Sequence, residues 1–243
     1  MMNGWWLPQA ISQHALSFDG QFARTLIVAL VIFGAAQYAL VAVAWRYRAN
    51  SNGKARTQMP GDTRHELIWT SATALVFLGL LLMGSRTWAE VQFTAAPVDS
   101  EVIEVLAKQF AWSFRYPGPD GRFGRTSIRL IDDAAGNPFG LDPQDSNSRD
   151  DIVAAVLRVP AGRPVKLTLT SLDVIHSFFV RELRLKQDVV PGMQIPFHFR
   201  ADVPGTYEVP CAELCGLGHS QMRTTVLVMP AVDYDRWKRE QTR

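Results

Sequence analysis

Two long apolar runs occupy the first third of the chain. The first covers about residues 25–45 and reads TLIVALVIFGAAQYALVAVAW, and the second, about residues 67–88, begins LIWTSATALVFLGLLLMG; both quoted stretches are free of charged residues. A helix of about 20 residues crosses the roughly 30 Å hydrocarbon core of a bilayer. Trp45, Trp69 and Trp88 lie near the ends of these runs, where aromatic side chains favour the membrane interface. The pattern predicts a transmembrane helical hairpin rather than two buried helices of a soluble core.

The segment between the two runs is strongly basic. Its positive residues are Arg46, Arg48, Lys54, Arg56 and Arg64. Short loops rich in Arg and Lys stay in the cytoplasm. We therefore expect a multi-pass protein of the inner cell membrane, with both termini and everything after the second run on the periplasmic, outer side.

From about residue 100 the pattern changes to short stretches rich in Val, Ile, Thr, Phe and Trp, separated by Gly, Pro and Asp. Examples are EVIEVLAKQFAWSFRY, PVKLTLTSLD, HSFFV, QIPFHFRAD, GTYEVPC and TTVLVMP. Short strands at this spacing are typical of an all-β sandwich or barrel. The domain organisation that we predict is residues 1–92 for the N-terminal segment and hairpin, 93–232 for the β domain with a long insertion at about 117–150, and 233–243 for a short charged helix.

Composition narrows the possible partners. The chain has 243 residues and a formal net charge of +2. The positive charges are not concentrated on one stretch, so we expect no nucleic-acid partner. The only two cysteines are Cys211 and Cys215, which are too few and too close together to frame a disulfide-stabilised secreted domain.

The residues with distinctive chemistry are concentrated in CAELCGLGHSQM, residues 211–222. Its soft and imidazole ligands are Cys211, Cys215, His219 and Met222. Thiolate and thioether sulfur favour copper(I), and imidazole suits copper in either oxidation state. His176, which we place at the end of a strand-like run, is a further candidate. A single blue copper needs only one Cys, so the second thiolate indicates two copper ions bridged by two sulfurs.

Two bridging sulfurs let the ions share one unpaired electron, which keeps bond lengths nearly constant on reduction and favours an electron relay over a catalyst. Other interpretations stay open for individual residues. Cys211 and Cys215 are also compatible with a disulfide, and the cluster with zinc, although zinc seldom recruits a thioether. Taken singly, His176, Glu213 and Met222 are also compatible with purely structural roles.

At these residues the chain resembles subunit II of the haem-copper cytochrome c oxidases, along nearly its whole length. The resemblance covers the hairpin, AKQFAWSFRY, LDVIHSFFV, LRLKQDVVPG and the cysteine-containing loop. It implies a two-helix transmembrane hairpin followed by an all-β, cupredoxin-like sandwich or barrel that holds the dinuclear copper centre CuA. In that family CuA accepts electrons from cytochrome c and passes them to haem in subunit I, where oxygen is reduced to water with proton pumping.

The resemblance also implies a role for each residue of the cluster. Cys211 and Cys215 correspond to the bridging thiolates, His176 and His219 to the terminal imidazoles, and Met222 to the weak ligand of one copper. Glu213 corresponds to the residue whose backbone carbonyl binds the other copper and whose carboxylate binds a magnesium ion shared with subunit I. Haem and a further copper, CuB, are expected only in the partner subunit.

Other positions that match the family correspond to residues with roles in proton uptake, in the contact with subunit I and in electron entry. Glu66, in HELIWT, matches the acidic residue at the mouth of a proton channel into subunit I, although the helix dipole also favours Glu in a first turn. Asp173 and Asp188 match acidic interface positions, with structural roles equally open. The tryptophan at which electrons enter in the family corresponds to Phe110 here, so Trp112, the retained tryptophan, is our candidate for that role.

The expected partners are subunit I, further membrane subunits, and cytochrome c or another periplasmic electron donor. The main alternative function is the CuA subunit of a haem-copper nitric oxide reductase. A membrane-tethered copper carrier is a weaker alternative, because a carrier needs an exchangeable, Met-rich site and this loop has a closed ligand set.

Overall fold

The computed structural model describes residues 7–48 and 61–241 of the chain. It divides into two compact units: one is Met1–Leu16 with Val91–Arg243, and the other is Ser17–Glu90. The second unit carries the helical hairpin, and the first carries all the strands.

The predicted pair of apolar helices is confirmed. Helix α1 is Gln13–Arg46 and helix α2 is Thr63–Gln92. Both are long and apolar enough to cross a membrane, and their apolar stretches have no buried residues. Large exposed apolar surfaces of this kind are unfavourable in water, so the hairpin is suited to a lipid environment. Lys54 and Arg56 of the basic segment lie outside the described residues.

Helix α1 begins at Gln13, well before the predicted span at about residue 25. Its start is set by Ser12, whose Oγ accepts a hydrogen bond from the backbone N–H of Ala15 at 3.1 Å. Such a serine cap satisfies one of the free N–H groups at a helix start. The apolar run therefore forms only the later part of a longer helix.

The all-β domain is also confirmed, with ten strands among the described residues. They are β1 (Glu101–Lys108), β2 (Ala111–Tyr116), β3 (Ile152–Ala154), β4 (Leu157–Pro160), β5 (Pro164–Ser171), β6 (His176–Val180), β7 (Leu185–Val189), β8 (Ile195–Arg200), β9 (Gly205–Pro210) and β10 (Arg223–Met229). A five-stranded sheet has the order β3-β2-β1-β5-β8, a three-stranded sheet has the order β4-β10-β9, and β6 pairs with β7. His176 opens β6 rather than ending a strand as we predicted.

The core lies between these sheets, and strand β5 shows how alternating side chains contribute to it. In β5 every second residue is buried, including Val165, Leu167 and Leu169, while the residues between them are partly exposed. Successive side chains of a strand point to opposite faces, so one face of β5 lies in the core. Strand β5 is central in its sheet, since it pairs in parallel with β1 and antiparallel with β8.

The insertion at 117–150 contributes no strand to these sheets. Its only regular elements are a 3-10 turn at Ile128–Leu130 and a four-residue helix, α3, at Ser146–Arg149. Beyond the last strand, helix α4 (Ala231–Gln241) includes residues 233–241 of the predicted charged tail, and residues 242–243 lie outside the described residues. Its Trp237 packs edge-on against Tyr116 of β2, with ring centroids 5.1 Å apart.

A buried arginine fastens the insertion to the sheet. The guanidinium of Arg115 in β2 donates to Glu104 of β1 at 2.9 Å, to Asp151 at 2.9 Å and to the backbone oxygen of Gly124 at 2.6 Å. Asp151 also accepts a hydrogen bond from the N–H of Gly124 at 3.0 Å. Removing one partner of such a network leaves a buried charge unpaired, which is strongly destabilising. The start and the end of the insertion are therefore held at one point.

The segment before α1 belongs to the β domain. The N–H of Ile11 donates to the backbone oxygen of Glu182 at 3.1 Å, and the N–H of Asp202 donates to the backbone oxygen of Ile11 at 2.7 Å. The side chain of Ile11 is 1% exposed and lies in the hydrophobic core. Residue 11 and the β domain must therefore lie on the same side of any membrane that the hairpin crosses.

We expect Ile11→Ala to lower the free energy of unfolding of the β domain by about 2–5 kcal/mol, because the change leaves a cavity at a buried position of the hydrophobic core. Urea unfolding of the full-length chain in detergent, followed by tryptophan fluorescence, measures this loss. Ile128→Ala is the matched control, since Ile128 is 83% exposed. Equal losses in the two variants would contradict a core role for Ile11.

Candidate metal centre

The loop that joins β9 to β10, residues 211–222, is attached to the sheets at its base. The N–H of Cys211 donates to the backbone oxygen of Met222 at 2.9 Å, which closes the loop, and the N–H of Ala212 donates to the backbone oxygen of Ser177 in β6 at 3.0 Å. These bonds bring the loop beside His176, the first residue of β6. The late loop and the upstream histidine are thus joined by backbone pairing.

The interior of the loop folds back on itself in tight turns. The N–H of His219 donates to the oxygen of Gly216 at 3.1 Å, and the N–H of Met222 donates to the oxygen of Gly218 at 3.1 Å. Gly216 has a φ of 135°, which side-chain-bearing residues rarely adopt. These turns bring His219 and Met222 back toward Cys215.

The soft ligand atoms meet in one cluster. The Sγ atoms of Cys211 and Cys215 are 3.9 Å apart. Around them, His176 Nδ1 lies 3.9 Å from Cys211 Sγ, and His219 Nδ1 and Met222 Sδ each lie 3.7 Å from Cys215 Sγ. The Cys211 thiol also approaches the backbone oxygen of Glu213 at 3.2 Å. The structure therefore brings together all six residues that we predicted from the sequence.

These separations suit donors around a metal ion. For bond lengths like those at zinc, about 2.3 Å to thiolate and about 2.0–2.1 Å to imidazole, tetrahedral angles place sulfur and nitrogen roughly 3.5–3.6 Å apart and two sulfurs about 3.8 Å apart. His176, Cys211 and Cys215 offer ligand atoms that all lie within 4.8 Å of one another. His176 lies beside one thiol, whereas His219 and Met222 lie beside the other.

Both cysteines are buried and free in this structure. Their sulfur atoms, 3.9 Å apart, are well beyond the roughly 2.05 Å of a disulfide bond. Burial, together with the neighbouring Cys211, raises the pKa of Cys215 to about 11. A metal must therefore displace a proton from this thiol at neutral pH, because the thiolate is the form that binds metal.

Asp173 orients the upstream histidine, a contact that the sequence analysis missed. Nε2 of His176 lies 2.8 Å from Asp173 Oδ1 and donates to it in the tautomer that leaves Nδ1 free to face Cys211. Burial acts to raise the pKa of Asp173, but hydrogen bonds from His176 and from the N–H groups of Gln109 and Val174 outweigh it and lower that pKa. A carboxylate behind a ligand histidine fixes its tautomer and ring orientation. The position of Asp173, three residues before His176, is the sequence signal that could have indicated this contact.

The aromatic residues of β2 and its preceding turn differ in depth. Trp112 is 3% exposed, and its ring lies edge-on to that of His176 with centroids 6.1 Å apart. Phe110 is 40% exposed. Phe110 therefore lies at the protein surface, whereas Trp112 lies in the interior.

Two further acidic residues with predicted roles, Glu213 and Glu66, are both exposed and belong to different units. Glu213 has an exposed side chain on the loop. Glu66 lies in the first turn of α2, in the other unit, and is also exposed.

Comparison with known proteins identifies relatives of the whole chain. Residues 101–229 match the family described as cytochrome c oxidase subunit II, periplasmic domain, and residues 2–85 match its transmembrane domain. The alternative cytochrome c oxidase subunit 2 of Bradyrhizobium diazoefficiens is 35% identical over 239 residues, which are 98% of this chain and 84% of the relative. Cytochrome c oxidase subunit 2 of Thermostichus vulcanus is 28% identical, over 96% of this chain and 78% of the relative.

Among solved structures, the periplasmic domain of subunit II of the Bradyrhizobium japonicum cytochrome oxidase is 24% identical. It aligns with a TM-score of 0.45, over 60% of this chain and 96% of that structure.

We expect Asp173→Asn to weaken copper binding by roughly 10–100-fold, the usual cost of losing the partner of a ligand histidine. The measurement is a copper titration of the full-length chain in detergent, read from visible absorption. Asp235→Asn is the control, because the carboxylate of Asp235 pairs with Arg163 at 2.6 Å and lies in α4, outside the loop. Unchanged affinity in Asp173→Asn would show that His176 does not depend on this carboxylate.

Proposed function

Because the chain belongs to the cytochrome c oxidase subunit II family, we propose that it is the subunit through which electrons enter its oxidase, by way of a dinuclear CuA centre. The chain is a membrane protein and a component of a haem-copper oxidase. The observation that supports the CuA proposal most strongly is the pair of buried thiols, 3.9 Å apart, with one histidine beside each.

In this proposal six residues of the chain hold the two copper ions. They are His176, Cys211, Cys215, His219 and Met222 through their side chains, and Glu213 through its backbone oxygen. When bound, such a copper pair supplies a one-electron carrier. The protein contributes a ligand set that is already assembled, because backbone hydrogen bonds close the loop and join it to β6. Burial of both thiols excludes water from the bridging sulfurs.

The exposed carboxylate of Glu213 is available to a second kind of metal. Hard oxygen ligands suit magnesium, which commonly takes one or two carboxylates and keeps several waters. We propose that Glu213 binds a magnesium ion shared with subunit I. Since its backbone oxygen lies 3.2 Å from Cys211 Sγ, this residue would connect the copper loop to the partner subunit.

The electron donor in this proposal is cytochrome c or another periplasmic protein. Phe110 provides exposed aromatic surface at the loop, and Trp112 lies beneath, against His176. We assign Trp112 the inner step from this surface to the site. Subunit I, which would hold haem and CuB, and further membrane subunits are the remaining proposed partners.

The proposed location is the inner membrane, with the β domain on the periplasmic side. Arg46 at the end of α1 and Arg64 at the start of α2 both flank the segment between the helices, which favours the cytoplasm for that segment. Glu66 lies in the same first turn of α2 and so faces the cytoplasmic side in this orientation. We propose that it collects protons there for subunit I. A nitric oxide reductase subunit is not favoured, because the relatives are cytochrome c oxidase subunits.

We expect the full-length chain to bind two copper ions with one electron shared by two nuclei, and Cys215→Ser to bind at most one, because the variant lacks a bridging sulfur. Copper-to-protein ratio and electron paramagnetic resonance of the chain in detergent provide the test. Ser148→Ala is a suitable control, since Ser148 is buried at the insertion. A shared-electron signal that survives in Cys215→Ser would rule out the bridging role.

We expect Glu66→Ala in the assembled oxidase to slow oxygen consumption while leaving the rate of copper reduction unchanged, because the change removes a proton-collecting carboxylate far along the chain from the copper loop. Steady-state oxygen uptake and stopped-flow reduction measure the two rates. Asp99→Ala is the control, since Asp99 is an exposed carboxylate that precedes β1. Oxygen uptake at the unaltered rate in Glu66→Ala would remove this residue from the proton path.

A further inference from the structure

The turn between β1 and β2 lies directly on the cysteine-containing loop. This turn consists of Gln109 and Phe110, which we call the β1–β2 tip. The side-chain Nε2–H of Gln109 donates to the backbone oxygen of Cys215 at 2.6 Å. The backbone N–H of Gln109 donates to Asp173 Oδ2 at 2.6 Å. One residue therefore touches a candidate copper ligand and also the carboxylate that orients another.

Two glycines of the cysteine-containing loop, Gly216 and Gly218, leave room for the β1–β2 tip. A Cβ atom at Gly218 would lie 2.5 Å from Cδ2 of Phe110, and a Cβ atom at Gly216 would lie 2.7 Å from Nε2 of Gln109. Both distances are shorter than real Cβ contacts. Gly218 has a φ of −90°, a conformation open to any residue, so only the close approach of the ring requires glycine there.

The tip contacts the middle of the loop, whereas the hydrogen bonds at the loop base hold its ends. The loop is attached to the sheets at its base, through Cys211 and Ala212. Cys215 lies further along, and its carbonyl is held by Gln109 from a different sheet. The Phe110 ring covers Gly218, whose oxygen accepts the N–H of Met222. The tip thus fixes the half of the loop that the base does not reach.

We propose that Gln109 and Phe110 are positioning residues that hold Cys215, His219 and Met222 in place for copper, with Gly216 and Gly218 as the small residues that receive them. The proposal rests on the proposed copper function, because it concerns the geometry of those ligands. It predicts that disturbing the tip alters the copper spectrum and the reduction potential, which a merely stabilising contact would leave unchanged.

The first test is a double-mutant cycle between the tip and the loop in the full-length chain in detergent. Gly218→Ala should weaken copper binding at least tenfold, the order of loss expected when a ligand's supporting contacts are disturbed, which is about 10–100-fold. Phe110→Ala alone should have a smaller effect. The double variant should return to the affinity and spectrum of Phe110→Ala, because the added methyl group no longer meets the ring. Additive losses in the double variant would overturn the proposal.

The second test removes only the hydrogen bond. Gln109→Leu keeps a side chain of similar size and deletes the donor to Cys215. We expect about tenfold weaker copper binding, a shifted reduction potential and a changed copper hyperfine pattern. Gln144→Leu is the matched control, since Gln144 is an exposed glutamine in the insertion. A Gln109→Leu variant with the potential and spectrum of the unaltered protein would refute the positioning role.

The copper-free protein gives a readout that does not depend on metal. If the tip holds the loop, a thiol reagent should modify Cys215 severalfold faster in Gln109→Leu and in Gly218→Ala than in the unaltered chain or in Gln144→Leu. Equal rates in all four proteins would contradict the proposal. Failure of the unaltered chain to bind two copper ions would instead count against the proposed function, and the thiol rates would still decide whether the tip holds the loop.

Discussion

The site depends on holding two buried thiols side by side without letting them react. Their 3.9 Å separation is close enough for both sulfurs to share metal ions and too long for a disulfide. No single local element imposes it, because the loop between Cys211 and Met222 is neither helix nor strand for most of its length. It follows instead from two sets of hydrogen bonds. Backbone bonds at the loop base, to Met222 and to Ser177, hold Cys211, and the side chain of Gln109 holds the backbone oxygen of Cys215. The sandwich matters to the site mainly because it positions those backbone groups.

The two candidate histidines reach the site from different supports. His176 comes from the first position of β6 and is turned by Asp173, whereas His219 comes from a short turn within the loop. The aromatic side chains of β2 fill the space behind the first histidine, since Trp112 packs against both His176 and Phe178. Ligands that are locked by packing and hydrogen bonds lose little freedom on binding metal.

The sequence predicted the features that leave a local pattern. The apolar runs predicted the two helices, alternation predicted strands such as β5, and the spacing of Cys211, Cys215, His219 and Met222 predicted the loop. It could not predict pairings between distant residues. Ile11 bonds to Glu182 and Asp202 through backbone groups that any residue has, so nothing in the first residues signals that they complete the core. The start of α1 was also missed, because Ser12 as a cap is recognisable only once its partner N–H is known. The same limit hid Asp173, whose role depends on which way His176 points.

Phe110 and Trp112 show that the burial of an aromatic side chain, as well as its residue type, decides which role it can take. A tryptophan was the natural candidate for receiving electrons, yet Trp112 is buried and Phe110 is the residue at the surface. Phe110 also rests on Gly218, in the loop that holds Cys215 and Met222. In the proposed function, the surface offered to an electron donor therefore includes a residue that contacts the ligand loop. A phenyl ring can occupy that place because the position requires a flat apolar body against the loop backbone, and the indole nitrogen of a tryptophan is not needed for that packing.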